Sequence, residues 1–398
     1  MHILIRMFLL SLLVGQLGSL IVPESRMYLH DIVLIGLLTY SFVRILMRRS
    51  VILPKLTVPI VAFAAASVLS LLVNAHRFAP QDVATGGLYL FRWIAYAGIY
   101  AVVIQGFVPA FQWTRGLLWV GVGAGAAGLL QYMFYPDLRN LMYLGWDPHY
   151  YRLVSVFFDP NFAGIILVLA VLLSLHLWRL KKHPWIFSVA LLEGIAVILT
   201  YSRSSYLALV VGLTVYVSSI KRRARTALWT VLILLLIFVY VPKPGGDTLR
   251  LDRMASTTSR IENWAYSAGL FQRSPVTGLG FSMLRYVGLG DEIWENSTEG
   301  VVSRSGAGID NSLLFVAAST GIAGLAAYGW LLVRLLRATA ARSRTAYATR
   351  GVFHAMLAAV IVHSMFVNSL FYPWVMLWLW VLAGVVESEE RKGAVYRW

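Results

Sequence analysis

The chain contains no cysteine, which excludes disulfides, thiolate metal sites and a cysteine nucleophile. Charge is also scarce. Only 13% of the 398 residues are Asp, Glu, Lys or Arg, against about 25% in an ordinary soluble domain. Acids are the scarcer sign, 18 against 34 basic residues, for a formal net charge of +16. Composition of this kind does not belong to a soluble enzyme, a disordered chain or a coiled coil. What replaces charge is apolar surface: 59% of residues are hydrophobic and the mean hydropathy is +0.71.

Apolar runs near the roughly 20 residues needed to cross a bilayer recur from end to end. They predict twelve spans, near 3–22, 30–47, 57–73, 87–105, 115–134, 160–178, 184–200, 203–219, 226–242, 311–334, 352–370 and 373–387. The first carries Arg6, lacks a small-residue cleavage site and is followed at once by further apolar segments, so it is expected to be retained rather than cleaved. The expected fold is an all-α polytopic membrane protein of about 12 transmembrane helices, one integral membrane domain over 1–398.

The basic residues give a direction. With the N-terminus in the cytoplasm, the inner side takes 21 basic residues against three acids, and the outer side 13 basic against 14 acids. The positive excess is therefore a topology signal and not a nucleic-acid face. Both termini are expected in the cytoplasm. One long loop, 243–309, and a shorter one, 135–159, are expected outside. The long loop holds Trp264, Phe271, Phe281 and Trp294 and has apolar spacing suited to short helices.

Ionisable groups in or beside apolar spans are costly and therefore point to function. Arg92 lies in the fourth span, Glu193 in the seventh, and Arg203 opens the eighth. Arg152 and Asp159 lie in the 135–159 loop, and Asp310 stands at the start of the tenth span. A shared polar pocket towards the outer face is the expected reason for the set. In DPNFAG, Asp159 is placed to cap, Pro160 fits the first helical position, and Asn161 begins the sixth span. Asp310, Asn311 and Ser312 read as the cap of the tenth. Spans six, eight and ten then bring helix N-termini to the same face, which suits a diphosphate.

In the long loop a helical stretch is predicted to end near Ser274-Pro275, with Arg260 and Trp264 four residues apart on one face. Thr277-Gly278-Leu279-Gly280 follows as a turn, without the context of a nucleotide-binding loop. Asp291, Glu292, Glu295 and Glu299 read as an exposed acidic face, and no metal site is expected. His363, in the eleventh span, reads as a satisfied buried residue.

Three segments in order, LTYSRSSYLALVVGL at 199–213, SRIENWAYSAGLFQRSPVTGLG at 259–280 and DNSLLFVAASTGIAGL at 310–325, follow FFDPNFAG upstream. Together they resemble the O-antigen ligase and polymerase superfamily. Asn311 followed after nine residues by Gly321-x-x-Gly324 is similar to that family's His-Asn-x9-Gly-x-x-Gly pattern, with Asp310 where ligases carry His. The motif region spans 150–330, and the plan with one long outer loop covers nearly the whole chain.

The resemblance implies a GT-C-like glycosyltransferase at the outer face of the bacterial cytoplasmic membrane. Its donor would be a glycan on undecaprenyl diphosphate, and its acceptor a lipid A–core sugar or another lipid-linked repeat. It also implies transfer with inversion and with neither metal nor cofactor. A departing diphosphate needs charge stabilisation, which arginines supply as charge-assisted hydrogen bonds. Arg260 and Arg203 come first for that role, then Arg92 and Arg152. Asp310 occupies the position of a base for the acceptor hydroxyl. Asn161, Asn311 and Trp264 complete the substrate-contacting candidates. The aspartate in place of histidine tilts the reading from ligase towards polymerase. A transporter for lipid-linked glycans, the alternative, would call for paired halves and a midplane site, and no internal repeat is apparent.

Overall fold

A computed structural model describes residues 1–18, 27–48, 51–144, 146–218, 254–287, 308–337 and 344–395. The expected span at 226–242 and the acidic run from Asp291 to Glu299 lie outside the described residues. The described residues are helical apart from loops and one isolated antiparallel bridge, Asp137 to Tyr150. In chain order the helices are α1 His2–Val14, α2 Leu29–Arg48, α3 Thr57–Asn74, α4 Pro80–Ile104, α5 Ala110–Phe134, α6 Pro160–Lys181 and α7 Pro184–Leu199. They continue with α8 Arg203–Ser218, α9 Met254–Arg273, the single turn α10 Leu284–Val287, α11 Ser312–Arg337, α12 Arg344–His363 and α13 Pro373–Val395. Among the described residues, six segments are long and apolar enough to cross a bilayer: α2, α3 with its extension to Arg77, α4, α5, α6 and α11. This is a polytopic membrane architecture.

Local sequence explains several helix ends. Proline opens α4, α6 and α7, where its fixed φ fits and its missing N–H costs nothing. As expected, Asp159 caps α6, accepting from Asn161 N at 2.7 Å and Phe162 N at 3.0 Å. At the other end of α6, Arg179 and Lys181 face the negative pole of the helix and Lys182 takes a left-handed C-cap.

Two helices are apolar on every side and lie inside. All residues of α6 from Ala163 to Ser174 are buried, as are those of α13 from Trp374 to Val386. α13 packs on α4, α5 and α12, and α6 on α5, α7, α8 and α12. The peripheral helices keep apolar faces outward: Ile32, Phe42 and Leu46 on α2, and Val58, Val61 and Leu72 on α3. In hydrocarbon these faces gain nothing from burial, so association rests on close packing and buried hydrogen bonds. Gly164 illustrates the packing. A Cβ there would stand 2.2 Å from Ser205 Oγ, so the glycine brings α6 against α8.

One irregularity positions the functional region. α11 is broken at Gly321, whose φ is 65°. The turn after α9 docks into the break: Leu279 N donates to Ala318 O, Gly280 N to Ser319 O, and Ile322 N to Pro275 O, at 2.8–3.0 Å. Asn74 Nδ2 donates to Gly278 O at 3.0 Å and Ser70 Oγ to Ser319 O at 2.7 Å, tying α3 to the same joint. α9 is thereby anchored along α11 by bonds its own sequence does not contain.

Candidate functional site

α8 begins at Arg203, and the α9 face that carries Arg260 and Trp264 turns towards it. Arg203, Ser204, Arg260, Trp264 and Phe366 line a cavity of about 380 Å³. The Arg260 guanidinium lies 5.7 Å from the centre of the Phe366 ring, and Trp264 packs on the same ring at 6.0 Å. The expected shared face of Arg260 and Trp264 is thus the wall of a pocket. Burial pulls the Arg260 pKa below its ordinary value. Asp310 opposes that shift, the like charge of Arg203 adds to it, and Asp159 opposes it.

Asp310 does not line this cavity but interacts electrostatically with Arg260 on its wall. Asn263, on α9, accepts from Asp310 N at 3.1 Å and donates to Gly308 O at 3.1 Å, fixing the strip before α11 against α9. Burial raises the Asp310 carboxyl from 3.8 to about 6; Arg260 opposes the rise, and Asp159 and Asp147 add to it. The sequence reading of Asp310 as part of a cap is corrected. Asn311 Oδ1 caps α11, accepting from Leu313 N at 2.9 Å and Leu314 N at 3.1 Å. Asn311 is 2% exposed and its oxygen is committed to the cap. The Asp310 carboxylate is thereby spared that task.

Behind the cavity runs a buried polar chain. Ser202 Oγ donates to Asn161 Oδ1 at 2.8 Å, and Ser205 Oγ donates to Ser202 Oγ at 2.9 Å. Ser204 and Ser205 hydroxyls stand 3.1 and 3.3 Å from His363 Nε2, and His363 Nδ1 stands 2.6 Å from Ser369 Oγ. His363 is fully buried and satisfied, as expected from the sequence. The chain joins α6, α8 and α12 where their ends meet the site.

The remaining charges do not all gather here. Arg152 donates from Nε to Thr200 O at 3.0 Å and from Nη2 to Tyr201 O at 3.2 Å, at the carbonyl end of α7. Arg92 pairs with Asp31 at 3.0 Å and lies 5.2 Å from the Tyr28 ring centre. Asp31 also accepts from Tyr28 N at 2.9 Å and from the Tyr96 hydroxyl. Asp31, Arg92 and Tyr96 line a separate cavity of about 120 Å³ between α2 and α4. Glu193, buried in α7, accepts from Ser174 Oγ at 2.7 Å. The single pocket expected from sequence therefore resolves into the Arg203–Arg260 cavity with Asp310 and Asp159 beside it, and separate settings for Arg92 and Glu193.

Sequence reasoning passed over three groups. Asn263 places Asp310, Asp31 holds Arg92, and Asp147 and His149 join Asp159 in a cluster whose ligating atoms all lie within 4.8 Å of one another. Burial lowers the His149 imidazole from 6.5 to about 4, against the pull of Asp159. The only sequence signal was the close spacing of Asp147, His149 and Asp159 in one loop.

Residues 186–329 match the family model described as O-antigen ligase. No curated protein matches the chain. The matched stretch holds all three segments that carry the likeness to the O-antigen ligase and polymerase superfamily, and it supports that likeness. The matched stretch contains Arg203, Arg260, Trp264, Asp310 and Asn311; Arg92, Arg152 and Asn161 fall outside it.

Proposed function

We propose that this membrane enzyme of the O-antigen ligase and polymerase type transfers a glycan from undecaprenyl diphosphate to an acceptor sugar hydroxyl, at the outer face of the bacterial cytoplasmic membrane. The observation that carries the reading is the pair Arg203 and Arg260 on one 380 Å³ cavity, with Asp310 beside them. Two guanidiniums in a partly desolvated pocket suit a diphosphate whose negative charge grows as the glycosidic bond breaks. The acceptor oxygen attacks the anomeric carbon from the face opposite the diphosphate, which leaves with the bonding pair. The acceptor proton passes to the Asp310 carboxylate, and the anomeric centre inverts.

A carboxylate of ordinary acidity is a weak base; one raised to about 6 and still ionised at neutral pH is better matched to the task. Trp264 and Phe366 give the cavity an aromatic wall against which a sugar ring packs. The excess of basic residues on the expected cytoplasmic side supports the outward orientation. Aspartate at 310, where ligases carry histidine, favours a polymerase, with a lipid-linked repeat as acceptor.

Purified protein incubated with an undecaprenyl-diphosphate oligosaccharide, with and without lipid A–core, tests the proposal. A ladder of longer lipid-linked glycans without the core is expected. A single product requiring the core makes the enzyme a ligase, and no transfer under either condition contradicts the reading.

A further inference from the structure

Beside the cavity, the segment 135–159 carries a second set of donor atoms that the transfer reaction does not use. Asp147, His149 and Asp159 each place one ligating atom within 4.8 Å of the other two. The imidazole distinguishes this group from an ordinary pair of acids. His149 is 8% exposed, and its Nε2 is buried with no hydrogen-bond partner. A buried polar nitrogen left unsatisfied is destabilising unless something occupies the position opposite it.

Backbone hydrogen bonds hold His149 against the start of the loop. Leu138 N donates to His149 O and Tyr151 N to Pro136 O, both at 2.9 Å, around the Asp137–Tyr150 bridge. Trp146 packs edge-on against Phe158 at 5.2 Å, bringing the two ends of the 147–159 stretch together. Asp159 commits Oδ1 to the N-terminus of α6, which leaves Oδ2 for a ligand.

We propose that Asp147, His149 and Asp159 form a binding site for a divalent transition-metal ion of the zinc type. Two carboxylates and one imidazole suit a borderline ion, whereas magnesium and calcium favour oxygen throughout. Bonds of about 2.0–2.2 Å from one such ion would draw in three atoms that already lie within 4.8 Å. Three protein ligands leave a fourth position open to water or to a phosphate oxygen. The bound ion fastens the Asp147–His149 loop to the cap of α6 and offsets the charge of two neighbouring carboxylates. The proposed transfer does not need the ion, because its charge stabilisation comes from arginine, so the two readings stand or fall separately.

Equilibrium dialysis of the tag-free, detergent-solubilised full chain against Zn²⁺ alone is the test, with Asp147→Asn and His149→Gln as variants. Neither residue caps a helix, so both variants are expected to fold. The expected result is one Zn²⁺ per chain, with affinity weakened at least about tenfold in each variant. Added Zn²⁺ is also expected to raise the thermal unfolding midpoint of the parent chain and not of the variants. Absence of Zn²⁺ binding at micromolar free ion, or a variant that binds one Zn²⁺ as tightly as the parent, overturns the proposal.

Discussion

Asn263 accepts a hydrogen bond from the backbone N–H of Asp310 at 3.1 Å, and the same side chain donates to Gly308 O at 3.1 Å. An amide on the loop helix α9 thus sets where the carboxylate before α11 stands. Both bonds use the amide's complementary ends, so aspartate at 263 would lose the donor and place a second negative charge beside Asp310.

Asn263→Ala should leave the fold intact, since each bond contributes only about 1 kcal/mol. It should slow transfer by up to about a hundredfold, because a small displacement of a reacting group has that effect. A time course of glycan transfer, paired with a thermal melt, checks both halves.

Arg260→Ala should lower the transfer rate by about 10²–10³-fold, the usual loss when one preorganised donor to a developing charge is removed. Arg260→Lys should recover only part of that, because an ammonium keeps the charge and loses the planar fork that matches a phosphate. Single-turnover rates of the two variants, at matched membrane expression, measure the difference.

With Asp310 as the base, its proton must be off before the acceptor can be activated. Burial puts that ionisation at about 6. The rate should therefore fall as pH drops through about 6 and level off above it. In Asp310→Asn this acid limb should vanish and the rate should be lower by about 10²–10⁴-fold. A pH–rate profile of the parent and the variant provides the comparison.

Gly278 and Gly321 face each other across the break in α11. Both have positive φ, of 70° and 65°. A Cβ on Gly278 would lie 2.3 Å from Thr320 N, and one on Gly321 2.2 Å from Val276 O. Alanine at either position should destabilise the protein by more than about 1 kcal/mol through backbone strain alone. The clash adds to that, and a lowered unfolding midpoint in detergent would record it.

Arg92→Met should destabilise for another reason. It leaves the Asp31 carboxylate, 5% exposed, without its counter-ion and held by Tyr28 N and the Tyr96 hydroxyl. Breaking one side of a buried ion pair costs about 3–5 kcal/mol. Adding Asp31→Asn should restore part of the loss, and thermal melts of the single and double variants give the recovery.

Local signals in the sequence carried far. The Asp159-Pro160 start of α6, the end of α9 near Ser274 and the shared face of Arg260 and Trp264 depend on neighbours within a few residues, and each is seen in the structure. The spacing of Gly321 and Gly324 marked a motif, but its reason, a break that receives the 275–280 turn, is a contact between distant segments. Likewise Arg92 was visible as a costly charge, whereas Asp31 sits 61 positions earlier and nothing local ties the two. Asn263 and His149 escaped notice because an amide in a loop helix and an imidazole in a loop are ordinary until folding buries or pairs them. Asp310 was grouped with Asn311 as a cap because both side chains suit that role, and only the hydrogen bonds to Leu313 and Leu314 distinguish them.

Whether Arg203 and Arg260 act on one diphosphate in one cavity is tested most directly by a double-mutant cycle on transfer rate. Residues that act on the same group are strongly coupled, while independent sites are additive within about 0.3–0.5 kcal/mol. The expected result is that Arg203→Ala/Arg260→Ala is little slower than the slower single variant. Losses that multiply in full would place the two arginines in separate roles and contradict the shared site.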